Sequence, residues 1–599
     1  MLLSAKITKN LDSLPRFAYQ DAMIRRRLTW LIVALVLGIT LALMWAPMRD
    51  DTATMDETVF LGAGYSYWQG HGYYLNPEHP PLMQVWSALP LLYLNVRAPA
   101  DEVVYFRGTF FSDVAVSWAY SHEPGEKLPP AIEHYYHYPA TEAQLFGRAL
   151  VYGGLNNADD LLFWGRFMQA LVTLATGVLV FLWAKSLGNP GGGLLALAAW
   201  AFNPLALAYG HLIITDPGIT LMLPLAIWMF SRFLESPRPR TALLSGLAFG
   251  GALLTKYTAI ILIPIFGLLA LVAWWRPVRE QSARKTVASF CLFAAVTLGT
   301  ILLFYIPYWS PPPPIAVADA HRLDVPAWFT TLRCLLIPRD FFKGFTIMML
   351  HVVSGHDAYL LGQWSHVGWW YFYPVTILVK TPAALLLLLV STVVMALRRI
   401  RRSSFAEATP LIAAAVYLAC AITSRADIGI RHLLPIYPLL AVMAGIEYGR
   451  AKLPIRFVGW LLAGWLAVAA FVARPDYLAY MSEFVGGPSH GQNYLLDSNF
   501  DWGQGGKRLK EWMAKNHVAR VYLDYFGTGV AIEYLQIPNQ RVKAAEVRGL
   551  SDGYLVISAT HLMAPDYDWL RASHPPVARI GDTLFVYSLP LTGQTGPAK

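Results

Sequence analysis

Charge is scarce in this chain. Only 14% of its 599 residues are Asp, Glu, Lys or Arg, against about 25% in soluble domains. That deficit excludes an ordinary water-soluble enzyme of this length. Cysteine is almost missing: Cys291, Cys334 and Cys420 lie far apart, without metal or redox spacing, so no disulfide framework is implied. No G-x-G-x-x-G or phosphate loop stands beside a strand, which leaves no sign of a nucleotide cofactor. Internal repeats and low-complexity tracts are lacking too.

Apolar sequence is what the chain has in quantity. It is 56% hydrophobic, and its mean hydropathy is +0.41. Runs near 20 apolar residues read as membrane spans at 28–47, 164–186, 192–210, 212–234, 241–255, 257–275, 287–308, 368–396, 409–424, 430–447 and 455–473. The 21 Trp and 31 Tyr suit two interfacial belts. The first apolar run follows Arg25-Arg26-Arg27 and is long enough to span, so it reads as a retained helix and not as a cleaved signal. The fold class expected is a polytopic α-helical membrane protein of about eleven spans.

The net charge of +9 needs no nucleic acid, because basic residues collect in short cytoplasmic loops. With the N-terminus inside, the basic clusters on that side are Lys6 to Arg27, Lys185, Arg232 to Arg240, Arg276 to Lys285, Arg398 to Arg402 and Arg450 to Arg456. The opposite side receives three large pieces: the 48–163 loop, the 309–367 loop opened by Pro311 to Pro314, and the tail from about 475. In the tail, Arg520 to Phe526, Tyr554 to Ala559 and Thr583 to Leu589 read as strands, and Lys507 to Asn516 and Asp566 to Ala572 as helices. A small extracytoplasmic α/β domain at 475–599 is therefore expected, behind a membrane module at 28–474 and a cytoplasmic segment at 1–27.

Ionisable residues at the membrane are costly and call for explanation. Asp50 and Asp51 read as a solvated loop start, whereas Asp56 and Glu57 precede an apolar, aromatic segment and are candidate bases. Glu78 and His79 open an amphipathic stretch, where they either cap a helix or serve a phosphate, a metal or a proton. His211 and Asp216 lie between two spans, and Asp216 precedes Pro217 as a helix cap would. Lys256 sits between two apolar runs, where it snorkels or binds phosphate. Arg425, Asp427, Arg431 and His432 occupy an outer loop; they run against the positive-inside bias and call for a counter-anion. His356, Asp357 and the aromatics Trp369, Trp370 and Tyr371 form a dense run, and Lys380 lies inside an apolar span. Outward cations beside a bilayer suit a lipid-linked phosphate. Carboxylates suit deprotonation of a hydroxyl or binding of a divalent metal. A transporter or flippase of a lipid-linked glycan also wants outward cations, but it calls for mid-membrane charge and repeat symmetry.

Six segments carry a family resemblance: Met55-Asp56-Glu57, Glu78-His79-Pro80-Pro81, Thr215-Asp216-Pro217, Leu254-Thr255-Lys256, Gly368-Trp369-Trp370-Tyr371 through Lys380-Thr381-Pro382, and Gly429-Ile430-Arg431-His432-Leu433-Leu434-Pro435. In their order and shared sidedness the chain resembles the GT-C superfamily of polytopic glycosyltransferases. The branch is that of dolichyl-phosphate-mannose–protein mannosyltransferases and the bacterial aminoarabinose transferase of lipid A. The resemblance implies a polyprenyl-phosphate monosaccharide donor and a hydroxyl acceptor on a protein, lipid or glycan. It implies Asp56 as the catalytic carboxylate and Glu78 as a carboxylate near donor phosphate or metal. Lys256 and Arg431 are implied as phosphate-holding cations and Asp216 as a second acidic residue of the pocket. Asp56, Glu78 and Asp216 are the possible ligands of a divalent ion. His79 stands where the aminoarabinose transferase has lysine. A bacterial inner membrane is the expected location, with no nucleic-acid partner.

Overall fold

The computed structural model describes residues 16–70, 72–73, 75–99, 142–275, 283–308, 337–425 and 427–591. Arg276, Arg279, Cys334, the Pro311 to Pro314 run and the middle of the 48–163 loop lie outside the described residues.

Helices dominate, in the order α1 (Arg16–Asp50), α2 (Glu57–Trp68), α3 (Leu82–Ala88), α4 (Glu142–Tyr152), α5 (Ala158–Leu187), α6 (Pro190–Ala201), α7 (Pro204–Tyr209), α8 (Asp216–Glu235), α9 (Pro239–Thr255), α10 (Leu262–Trp275), α11 (Ala283–Tyr305) and α12 (Arg339–Ser354). A two-stranded hairpin follows, β1 (Ala358–Leu360) and β2 (Gln363–Ser365). Then come α13 (Phe372–Lys380), α14 (Ala383–Arg399), α15 (Phe405–Ile422), α16 (Ile436–Arg450) and α17 (Leu453–Val472).

Seven stretches among the described residues are long and apolar enough to cross a membrane: Met23–Asp50, Ala158–Leu187, Asp216–Glu235, Tyr257–Trp275, Arg284–Tyr305, Phe405–Ile422 and Leu453–Val472. The other four runs expected to span form shorter helices, and local chemistry explains the breaks. In 192–210, Asn203 accepts the Leu205 N–H with Pro204 at the first helical position, so a new helix starts there. In 368–396, Thr381-Pro382 separates α13 from α14, as a proline that lacks an N–H does. The 241–255 run is the 17-residue α9. The 430–447 run is a 3-10 turn, Ile430–Leu433, followed by the 15-residue α16. Large apolar side chains face outward along α1 and α17, among them Leu31, Leu35, Leu453, Leu461 and Val468. Trp274 and Trp275 are also exposed at the end of α10, as in a helix that meets lipid and its interface.

Helices α6 and α16 approach closely through glycine. A Cβ at Gly192 would strike the Gly445 carbonyl, and one at Gly445 would strike that of Gly192. Small residues let helix backbones touch where no hydrophobic drive separates lipid from protein.

Beyond α17 the chain forms α18 (Gly506–Lys515), β3 (Val521–Asp524), α19 (Gly529–Tyr534), β4 (Asn539–Arg541), α20 (Ala544–Val547), β5 (Gly553–Ser558), α21 (Ala559–Leu562), α22 (Asp568–Ser573), β6 (Ala578–Ile580) and β7 (Leu584–Leu589). The sheet order is β4-β3-β5-β7-β6, with β3 parallel to β4 and β5 and the remaining pairs antiparallel. The three segments read as strands from the sequence are β3, β5 and β7. Leu509, Val521, Leu523, Val556, Leu584 and Val586 make the sheet's own core.

The segment between α17 and the sheet stitches the molecule together. Thr52 Oγ1 donates to the Gly503 carbonyl at 2.7 Å, Met55 N to that of Trp502 at 3.2 Å and Tyr209 Oη to that of Ser498 at 2.7 Å. The Asn499 side chain accepts Ile430 N at 2.8 Å and donates to the Ile428 carbonyl at 3.1 Å. These bonds fix the segment after α1 against the turn that carries Arg431.

Candidate active site

One cavity of about 720 Å3 opens where these segments meet. Among the candidates singled out from sequence, it gathers Asp56, Glu78, His79, Asp216, Lys256, Arg431 and His432, together with His356 and Asp357.

Asp56 occupies the N-cap position of α2, but its side chain caps nothing. It instead accepts from Arg431 Nη1 at 3.1 Å. The Arg431 guanidinium also lies over the Trp502 ring, 4.4 Å from its centroid, a cation–π arrangement. Asp216 is the first residue of α8, where the helix dipole favours an anion. Lys256 ends α9 in an extended conformation and reaches back to Asp216, Nζ to Oδ1 at 2.8 Å. Both side chains of that pair are nearly out of water, at 10% and 2% exposure. Two cation–carboxylate pairs therefore stand in one cavity.

Glu78 and His79 lie between α2 and α3. Burial, with the nearby Asp56 charge, pushes the Glu78 carboxyl up to about 7. Burial, with Lys256 nearby, pushes His79 down to about 3, so its ring is neutral. Its ring packs on Phe60, centroids 4.9 Å apart. His432 lines the cavity from the 3-10 turn, and Tyr417 Oη holds its carbonyl at 2.7 Å.

Several candidates lie elsewhere, among them Glu57, Lys380 and Arg425. Glu57, expected beside Asp56 as a base, is fully buried against Arg166, whose Nε and Nη2 reach it at 2.8 and 2.6 Å. The same guanidinium donates to the carbonyls of Met48, Asp51 and Thr52, so all five of its N–H groups are satisfied. Burial alone would raise the Glu57 carboxyl, but Arg166 holds it below the ordinary value. Glu57 is thus a bolt between α5 and the segment that follows α1. Lys380 is fully buried, and its Nζ donates to the carbonyls of Leu478, Tyr480 and Asn499 at 2.9, 2.6 and 2.6 Å. Three acceptors saturate an ammonium, so its charge ties down the stitching segment. Arg425 is exposed and lines no part of the cavity.

Among the described residues, no three His, Cys, Asp or Glu side chains group so as to hold a metal ion. Asp56 and Asp216, two of the possible ligands, face Arg431 and Lys256 instead.

Residues 158–310 match the dolichyl-phosphate-mannose-protein mannosyltransferase family. The matched stretch contains Asp216 and Lys256, one of the two cation–carboxylate pairs. No curated protein matches the chain in sequence. Several solved structures align with the chain at low identity. ArnT from Cupriavidus metallidurans bound to undecaprenyl phosphate aligns over 94% of this chain and 99% of that one, with 12% identity and a TM-score of 0.44. The Archaeoglobus fulgidus oligosaccharyltransferase aligns over 87% of this chain and 68% of that one, with 11% identity and a TM-score of 0.42. The S. cerevisiae protein O-mannosyltransferase Pmt1-Pmt2 complex aligns over 47% and 34%, with 19% identity and a TM-score of 0.31.

The cavity also holds residues that sequence reasoning passed over: Asp497, Trp502, Phe526, Thr560 and His561. A signal existed in Asp497-Ser498-Asn499-Phe500-Asp501-Trp502, a polar and aromatic run soon after the last apolar helix. Asp497 has a left-handed backbone, φ 53°, rare for a residue other than glycine. Burial raises its carboxyl above the ordinary value.

Proposed function

We propose that the chain is a membrane glycosyltransferase that moves a monosaccharide from a polyprenyl-phosphate donor to an acceptor hydroxyl on the extracytoplasmic face. The observation that carries this reading is the pairing of Lys256 with Asp216 and of Arg431 with Asp56 in one cavity, bounded by apolar helices. The mannosyltransferase family match across 158–310 supports it.

The reaction is a single inverting displacement. The acceptor oxygen bonds to the anomeric carbon as the bond from that carbon to the phosphate oxygen breaks. The acceptor proton passes to Asp56. The leaving polyprenyl phosphate gains one negative charge, and Lys256 and Arg431 bind it more tightly than the donor. An interaction that strengthens along the reaction lowers the barrier. Lys256 is held in advance by Asp216. Phosphate arrival draws Arg431 from Asp56 and frees that carboxylate for the proton. Glu78, protonated up to about pH 7, donates a hydrogen bond to a donor oxygen.

The test is purified full-length protein given a panel of radiolabelled polyprenyl-phosphate sugars, with release of polyprenyl phosphate as readout. Asp56→Asn is expected to abolish release while donor binding persists. Release at the wild-type rate in that variant removes Asp56 from the chemistry.

A further inference from the structure

We propose that the cavity contains an acceptor subsite built on His561 and the rings of Trp364 and Phe526, and that it takes a carbohydrate hydroxyl. The inference deepens the glycosyl-transfer reading and rests on it.

His561 lies on α21, directly behind β5, and reaches the cavity wall. Its Nδ1 is 2.6 Å from Asp524 Oδ1, at the end of β3. The other Asp524 oxygen accepts from Tyr567 Oη, also at 2.6 Å. Two partners thus lock the carboxylate, which accepts a hydrogen bond from the Nδ1–H. A neutral imidazole so held presents Nε2 without a proton, as an acceptor. Phe526 meets the His561 ring edge-on at 5.5 Å. Thr560, the preceding residue, is tied to Asp501 through its N–H at 3.2 Å and its hydroxyl at 3.1 Å. The imidazole is therefore rigidly mounted, yet its side chain is 38% exposed. A buried scaffold under a half-open ring at a cavity wall is the arrangement of a ligand-binding group, with Asp524 and Tyr567 as positioning residues.

The character of this wall selects the ligand class. Lys256 and Arg431 come from other elements, and the cavity residues between Phe526 and Ala564 carry no cation. Trp364 is placed at the rim by β2, and its Nε1 donates to the Met563 carbonyl at 3.3 Å. Flat rings with a hydrogen-bond acceptor among them suit a molecule with an apolar C–H face and a hydroxyl edge. A pyranose has both. A lipid acceptor calls for a continuous apolar wall, and a phosphate for a cation.

The experiment uses saturation-transfer NMR on the full chain in nanodiscs, with methyl glycosides of glucose, galactose, mannose and N-acetylglucosamine as probes. At least one glycoside is expected to saturate the wild type. His561→Ala is expected to weaken it tenfold or more. His561→Gln, whose amide can both donate to Asp524 and accept a hydroxyl, is expected to restore part of the binding. Asp524→Asn shifts the ring proton to Nε2 and is expected to weaken binding several-fold, an effect a purely structural role of His561 would not produce. The proposal is overturned if no glycoside saturates, if His561→Ala binds as the wild type does, or if a Ser/Thr peptide binds there in place of sugars. Polyprenyl phosphate binding, measured on the same samples, reports on the donor reading separately. It is expected to be intact in His561→Ala, and its absence from the wild type would remove the donor reading while leaving the sugar subsite to the glycoside data.

Discussion

Lys256→Met separates the two tasks given to Lys256. In the folded chain its ammonium sits 2.8 Å from Asp216, and that carboxylate is only 2% exposed. Removing the ammonium leaves a buried charge without its partner, at a cost of about 3–5 kcal/mol. The single variant is therefore expected to unfold at a clearly lower temperature, and weak donor binding by it proves little. Lys256→Met combined with Asp216→Asn removes both charges and keeps both shapes. Its stability is expected to return to near that of the wild type. Its affinity for polyprenyl phosphate is not, because a hydrogen bond to a charged group contributes about 1.5–3 kcal/mol, a loss of about 10- to 150-fold. The assay is equilibrium binding of polyprenyl phosphate in nanodiscs, beside thermal unfolding of the same samples. A stable double variant that binds the lipid as tightly as the wild type would refute the phosphate role of Lys256.

Three further outcomes follow from the geometry. Glu78 keeps its proton to about pH 7 in the folded chain but loses it near its ordinary 4.5 when unfolded, so between those values the folded state binds more protons and stability falls as pH rises. Glu78→Gln should then be more stable than the wild type at pH 8, by on the order of 1–3 kcal/mol, and equally stable below pH 4.5, as read by thermal unfolding; a gap of equal size at both values contradicts the raised carboxyl. Glu57→Gln leaves Arg166 buried without its counter-charge and is expected to cost about 3–5 kcal/mol, read as loss of monodisperse protein on size exclusion; normal yield with lost turnover would return Glu57 to the chemistry. Gly445→Leu forces apart α6 and α16 and should lower the unfolding temperature, whereas the same change at Gly464, where a Cβ meets open space, should not.

The helical frame was legible because apolar runs and basic loops are local signals. The breaks at Asn203-Pro204 and Thr381-Pro382 were written in the residues too, but the hydropathy of the flanking runs hid them. For the site, residue type and sidedness brought out Asp56, Glu78, His79, Asp216, Lys256, Arg431 and His432, though Asp56 and Arg431 are 375 positions apart. Glu57 and Lys380 show what such reasoning misses. An expensive buried ion calls for a partner, and whether that partner is a substrate or the protein itself depends on distant chain. Glu57 finds Arg166 at 109 positions, and Lys380 finds carbonyls 98 to 119 positions away. His561 was hidden for the converse reason. Its meaning comes from Asp524 and Tyr567, brought to it by strand pairing that no local pattern announces.

A structure of the full chain with polyprenyl phosphate bound tests the central claim most directly. The account places the phosphate in the cavity, with oxygens about 2.8 Å from Lys256 Nζ and the Arg431 guanidinium, and with Asp56 released from its arginine. Lipid phosphate seated outside the cavity, with both cations still on their carboxylates, would contradict it.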